Sequence, residues 1–377
     1  MIYLDNNTTT QPTAEVVEAM QPYLTDCNFN RPPSSASWPG VHDPDGAALA
    51  MMSLSGAEGA NCFTFTSGAT ESNNWVFSET TRGRKPGRII ISAIEHASVS
   101  EPAAKLARAG FEVVEIPVND QGLILLGALR AALYSKPILV SIMTANNETG
   151  VVQPIERIGL LVRMISPTTY FHTDATQSIG KLNVNLQSDW EDVDLLSFSA
   201  HKFHGPKGIG GLYIRQGIEL EAMLLGGEQQ RGLSSATMNT PALAGLASAA
   251  MEAHYPEIDE ITNLRDSFEV NLLKEFPNAI IHSKSAPRLP NTSFFSLPGA
   301  DAGRIAERLA DSGIIVGIGA MCSSGAIRES KTLRAMGVPH HIARSSLQIS
   351  LSRFSSSTQL DTLLDFLKSK CWERDEL

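Results

Sequence analysis

Short apolar runs, each closing on small or polar residues and then on helix-forming sequence, recur through the first two thirds of this chain. Phe63-Thr64-Phe65-Thr66 leads into Ser67-Gly68-Ala69-Thr70, and Arg88-Ile89-Ile90-Ile91-Ser92 into Glu95-His96. Ile138 to Met143 leads into Asn146-Asn147-Glu148, Tyr170-Phe171 into His172-Thr173-Asp174, and Asp194 to Phe198 into Ser199-Ala200-His201-Lys202. Consecutive apolar positions suit strands buried on both faces. Strands of this kind alternating with helices predict an open, mainly parallel α/β sheet, and ligands in such sheets lie outside the carboxyl ends of the strands. One geometric rule therefore gathers five separated junctions at one pocket.

The chemistry at those junctions is specific. Lys202 stands at the mouth of a buried strand, between Ser199, His201 and the turn Gly205-Pro206-Lys207-Gly208. A rigidly held, partly desolvated amine suits a Schiff base to pyridoxal phosphate. Ser199 and His201 are then donors for the cofactor phosphate; the plainer alternative is a solvated lysine beside a glycine turn. Asp174 can pair with the pyridine nitrogen, or it can cap the helix after it. Gln177 can hydrogen-bond the ring's phenolic oxygen. Gly68, Ala69 and Thr70 open a helix whose free N–H groups suit an anion. His96 can lie over the ring and carry protons, and Asn147 can reach the ring or a substrate carboxylate. His201 and His204 lack the third ligand of a metal site, and Gly208-Ile209-Gly210-Gly211 does not complete a dinucleotide fingerprint.

Tyr3-Leu4-Asp5-Asn6-Asn7-Thr8-Thr9, Thr66 to Asn73, Glu95-His96, Ala145 to Gly150, His172 to Gln177 and Ser199 to Lys202 together resemble the cysteine desulfurases of the NifS and IscS group. These are enzymes of the class V aminotransferase fold (fold type I) that depend on pyridoxal phosphate, and the likeness runs from Tyr3 to about Phe366. It implies that Lys202 carries the cofactor, that Asp174 and Gln177 hold its ring with His96 stacked on it, and that Ala69, Thr70, Ser199 and His201 bind its phosphate. Thr237 matches a residue that reaches the partner subunit's phosphate, which implies a homodimer. Cys322 matches the nucleophile that takes sulfur from L-cysteine as a persulfide and passes it to an acceptor or scaffold protein. Its setting, Gly317-Ile318-Gly319-Ala320-Met321-Cys322-Ser323-Ser324-Gly325, suits an exposed loop. Cys62, in an apolar context, reads as core.

The chain also departs from the family. Gln348 stands where an arginine usually grips the substrate carboxylate, and Ser234 where a second arginine is usual. Asn and His are missing from the stretch Pro32 to Ser37. Asn147, Gln348 and Arg353 are the candidate substrate-binding residues, and Arg31, Arg231, Arg328 or Arg344 can compensate for the lost arginines. Two further readings stay open: a lyase or transaminase using pyridoxal phosphate on another amino acid, and a weakly active, cofactor-loaded scaffold subunit.

A net charge of −10 argues against a nucleic-acid surface. Four cysteines without a CxxC pair suit a reducing cytoplasm, and no apolar run reaches membrane-spanning length. The length of 377 residues predicts a large α/β cofactor domain over 12–250 and a smaller α+β domain from 1–11 and 251–377, the latter carrying the Cys322 loop. Strands are expected near 279–282, 292–296 and 348–351, and helices over 242–254 and 256–276.

Overall fold

The computed structural model describes residues 1–25, 44–253, 258–318 and 330–369. Strand β1 (Ile2–Leu4) is followed by β2 (Phe63–Thr66), β3 (Arg88–Ser92), β4 (Glu112–Ile116), β5 (Leu139–Ser141), β6 (Tyr170–Asp174), β7 (Leu195–Ser199) and β8 (Gly210–Ile214). Strands β2 to β8 form one sheet in the order β2-β8-β7-β6-β5-β3-β4. The run β7-β6-β5-β3-β4 is parallel throughout, whereas β8 lies antiparallel to both β7 and β2. Two reversals restore direction, so β2 points the same way as β7. The carboxyl ends of β2, β3, β5, β6 and β7 thus share one edge.

Alternation along these strands divides the core. Ile90, Val140, Phe171 and Leu196 face one cluster. Ile89, Ile91, Leu139 and Leu195 face the other, where Trp75 and Phe77 of the helix Ala69–Thr81 pack. Burial on both faces explains the unbroken apolar runs.

Two differences from the sequence reading have local causes. The expected strand end at Phe171 is wrong: β6 continues to Asp174. Its polar residues are satisfied sideways, His172 by Ser141 Oγ at 2.8 Å and Ser197 Oγ at 3.0 Å, and Thr173 Oγ1 by donating to Ile142 O at 2.8 Å. The antiparallel β8 was not legible, because its direction follows from the tight return after Lys202. Gly210 permits that return: a Cβ there would lie 2.3 Å from Phe198 O and 2.7 Å from Gly68 Cα.

Strands β9 (Ile280–Ile281), β10 (Thr292–Ser296), β11 (Ile314–Ile318) and β12 (Ser346–Ser350) form a second sheet with β1, in the order β1-β11-β12-β10-β9. Only β1 and β11 run parallel, with Ile2 opposite Ile314 and Leu4 opposite Val316. Leu4, Phe295, Leu347 and Ile349 meet apolar residues of the helices Ile258–Glu275, Ala302–Asp311 and Ser357–Ser369. The helix before them spans Thr240–Glu252.

Asp194 ties the start of β7 to its surroundings. Its carboxylate accepts from Phe171 N–H at 2.8 Å, Arg163 Nη2 at 2.5 Å and Arg215. Its side chain is 2 % exposed, so its removal takes a carboxylate partner from two arginines and leaves a buried backbone donor unpaired. Asp194→Ala is expected to lower unfolding free energy by about 3–5 kcal/mol, the range for breaking a buried pair. Chemical denaturation measures this, and a loss within the surface-pair range of about 0–1 kcal/mol would contradict it.

Candidate active site

A cavity of about 300 Å³ opens at the shared strand edge. Its lining includes Ala69, Thr70, His96, Asn147, Asp174, Gln177, Ser199, His201 and Lys202, together with Asn7, Thr8, Ser98 and Thr176. An adjoining cavity of about 270 Å³ is lined by Gly68, Ala69, Thr70, Ser199, His201, Lys207 and Gly208, among others. Asp174, the last residue of β6, offers a buried carboxylate. Its Oδ2 accepts from Asn73 Nδ2 at 2.8 Å and its Oδ1 from Thr176 N–H at 3.0 Å.

The opposite end is built for an anion. The helix Ala69–Thr81 starts against the cavity, and its positive end favours negative charge. Ala69 N–H donates to Ser199 Oγ at 2.8 Å, which leaves the Ser199 hydroxyl proton free to point elsewhere. His201 Nδ1 lies 3.0 Å from Thr9 Oγ1. Burial, with smaller contributions from Lys202, Lys207 and Lys181, holds His201 down at about 4, so its ring is neutral at physiological pH.

Lys202 sits in a single helical turn just past β7. Its Nζ donates to Asn7 O at 2.5 Å and Thr8 O at 2.8 Å. Burial pulls its ammonium down to about 8, against Asp5 and Asp174, which favour the charged form. A useful fraction of free amine therefore exists near neutral pH. The loop carrying those carbonyls is latched to the second sheet: Asn6 Nδ2 donates to Ser350 O at 2.7 Å and Asn7 Nδ2 to Thr292 Oγ1 at 2.8 Å. Asn7 and Thr8 were missed as contacts of the lysine, since a carbonyl acceptor leaves no trace in residue type.

His96 caps the helix Ala97–Arg108, and its Nδ1 accepts from Ser98 N–H at 3.1 Å. That bond leaves the neutral ring's proton on Nε2. Burial lowers the His96 pKa, opposed by Asp174 and reinforced by Lys202. Ser98 Oγ accepts from Asn73 Nδ2 at 2.8 Å, so one amide braces both the His96 cap and Asp174. Asn73 was missed as a support, although it lies in one of the motifs quoted above.

Other candidates lie apart. Gln348 Nε2 donates to Asn147 O at 2.7 Å and also to Glu148 O. Its amide hydrogens are thus engaged by the turn that presents Asn147. Arg353 lines a small separate cavity with Lys202 and Lys181, and its Nη1 pairs with Glu252 Oε2 at 2.9 Å. Arg231 reaches Thr64 Oγ1 at 3.1 Å, and Arg344 pairs with Asp301 at 3.2 Å. Among the described residues no arginine lines either of the two adjoining cavities. Thr237 is exposed and lines neither. Cys322, Arg31 and Arg328 lie outside the described residues. Cys62 is buried, and burial pushes its thiol up to about 12, which makes it inert.

The chain matches the aminotransferase class-V family over residues 2–363. It is 38% identical over 375 residues to cysteine desulfurase 2 of Trichormus variabilis, covering 97% of this chain and 92% of that one. It is also 38% identical to the cysteine desulfurase IscS of Methanosarcina thermophila, covering 97% and 90%. Among solved structures, a NifS-like protein superposes with a TM-score of 0.87 at 33% identity, covering 98% of each chain. SspA in complex with cysteine superposes with a TM-score of 0.81 at 30% identity, covering 94% of this chain and 100% of that one.

Proposed function

We propose that this chain, which belongs to the aminotransferase class-V family and to its cysteine desulfurases, uses pyridoxal phosphate held on Lys202 to move the sulfur of L-cysteine onto Cys322, releasing L-alanine. The observation that carries this reading is the cavity itself. An amine, a buried carboxylate and an anion-binding helix start converge there from β7, β6 and the turn after β2. Thr176 Oγ1 supports the fit: it lines the cavity, is buried and has no hydrogen-bond partner within the protein.

The residues divide the work. Asp174 would hold the ring nitrogen, and the helix start with Ser199 and His201 would hold the phosphate. When bound, the cofactor supplies an electron sink for the substrate's α-carbon. The Lys202 amine would move the α-proton, and the His96 ring would cover the site with its Nε2 proton available. The Cys322 thiolate attacks the substrate sulfur; an S–S bond forms as the C–S bond breaks, and the three-carbon remainder takes up protons to leave as alanine. The persulfide then passes to an acceptor protein serving iron–sulfur clusters or another thio-cofactor. Assaying the purified protein with cysteine and a thiol reductant for matched alanine and sulfide tests this; alanine without sulfide under those conditions, or neither product, would refute it.

The exposure of Thr237 supports a role across a homodimer interface, as does Leu225, 90% exposed in the segment leading to it. Light scattering should give twice the chain mass; a monomer that still holds the cofactor tightly would rule this out.

A second reading is favoured by one observation: among the described residues no arginine lines either of the two adjoining cavities. A charge-assisted bond to a carboxylate contributes about 1.5–3 kcal/mol. Without it, free cysteine should bind about ten- to a hundredfold more weakly than to an arginine-bearing relative. Gln348→Arg is expected to lower KM for cysteine about tenfold, given about 1.4 kcal/mol per factor of ten. If KM stays put while Arg231→Ala or Arg353→Ala abolishes cysteine binding, the carboxylate is held elsewhere. If neither happens and another amino acid is turned over faster, the enzyme is a lyase or transaminase of altered specificity.

A further inference from the structure

Lys181 is a second lysine beneath the site, and the chemistry described so far does not use it. It is only 7% exposed, yet among the described residues no carboxylate is hydrogen-bonded to its ammonium. Its Nζ donates to Gln177 Oε1 at 2.8 Å and lies 3.4 Å from Asn7 Oδ1. It also lines, with Lys202, the small cavity behind the catalytic amine. The local backbone explains the placement. Residues 175–182 coil in helical turns, with Ile179 N–H bonded to Ala175 O and Leu182 N–H to Ser178 O. Positions 177 and 181 therefore fall on one face. Gly180 lets the coil pass Phe203: its φ is +76°, and a Cβ would lie 2.6 Å from Phe203 Cβ.

An ammonium can only donate, whereas a glutamine amide presents an acceptor at one end and donors at the other. We infer that Lys181 is a positioning residue that fixes which end of the Gln177 amide faces the cofactor. With Oε1 held by Lys181, Nε2 is turned to the other side. There it gives one hydrogen to Asn7 O at 2.9 Å and keeps the second for the cavity that Gln177 lines. Without Lys181 only the Asn7 carbonyl would hold that orientation, and a flipped amide would present an oxygen to an oxygen of the ring. Asn7 joins this device to the lysine opposite, because its carbonyl accepts from both Gln177 and Lys202. Burial, with Lys202 nearby, lowers the Lys181 pKa to about 7, which shows how costly this placement is for a charge. A neutral lysine amine still donates two hydrogens, but it can also accept, so the strict orientation belongs to the ammonium.

This inference rests on pyridoxal phosphate being the ligand, and a double-mutant cycle separates the two. The dissociation constant for pyridoxal phosphate and the visible absorption maximum of the loaded protein are measured for the parent, Lys181→Met, Gln177→Ala and the double variant. Lys181→Met should weaken binding about tenfold and shift the absorption maximum. In the Gln177→Ala background it should add little, because the effect passes through that amide. An equal loss in both backgrounds would make Lys181 a packing or charge residue and overturn the inference; so would an unchanged Lys181→Met. If Lys181→Met does not fold, Lys181→Gln decides: its amide can donate or accept, so partial loss supports the inference and parent-level binding overturns it. Failure of the parent to bind pyridoxal phosphate at all would instead sink the functional reading.

Discussion

Lys202→Ala is expected to abolish alanine formation from cysteine, with a loss of at least about 10²–10⁴-fold from the missing proton transfer alone. The same substitution removes the covalent attachment, so borohydride should no longer fix pyridoxal phosphate to the protein. Lys207→Ala is the control. Lys207 lines the adjoining cavity at the anion end, whereas Lys202 lines the cavity that holds Asp174. That variant should keep the borohydride-stable link. Peptide mapping that finds the label on Lys207 would overturn the assignment. The pH dependence of capture gives a second handle. With the Lys202 ammonium held down to about 8, cofactor capture by the empty protein should accelerate as pH rises through that value. It should level off well below the range of an ordinary lysine, near 10.4.

Cys322→Ser separates cofactor chemistry from sulfur transfer. The serine variant should bind pyridoxal phosphate as the parent does and show a spectral change on adding cysteine. It should form no persulfide, since a hydroxyl is a poor nucleophile toward sulfur and the thiolate is the reactive form. Sulfide production falls to background in an assay with reductant. Sulfide release at the parent rate would show that Cys322 is not the carrier. Cys62 offers no substitute: it is buried with its thiol pushed up to about 12, so Cys62→Ala should leave sulfur transfer intact.

Much of the site was legible because each strand carries its chemistry at its own end. Asp174 closes β6 and Ser199 closes β7, with His201 and Lys202 just beyond it, so chain order alone puts them at the strand ends. A reader who accepts that parallel strands share an edge can place these residues together without coordinates. The expected strand near 348–351 falls at Ser346–Ser350, and β10 falls at Thr292–Ser296, the expected positions. The positions that resisted were those whose role is set by a partner far away in the chain. Gln348 reads as a lost substrate contact, yet its amide is engaged by the carbonyls of Asn147 and Glu148. Arg353 reads as a candidate substrate-binding residue, yet Glu252 holds it behind Lys202.

The amino-acid sequence by itself determined the α/β class, the common edge of the strands and the residue types that meet there. These follow from local patterns, namely apolar runs, small residues at helix starts and functional groups at or just past the end of a strand. Only the tertiary structure decided what surrounds each of them. The carbonyls that hold the Lys202 amine come from Asn7 and Thr8, and that loop is placed by Ser350 and Thr292 of the second sheet. The reversal that makes β8 antiparallel and the stacking of Lys181 beneath Gln177 are likewise products of packing. Backbone acceptors look alike in every residue, and the direction of a buried amide depends on which donor meets it. Neither leaves a mark on the linear order of side chains.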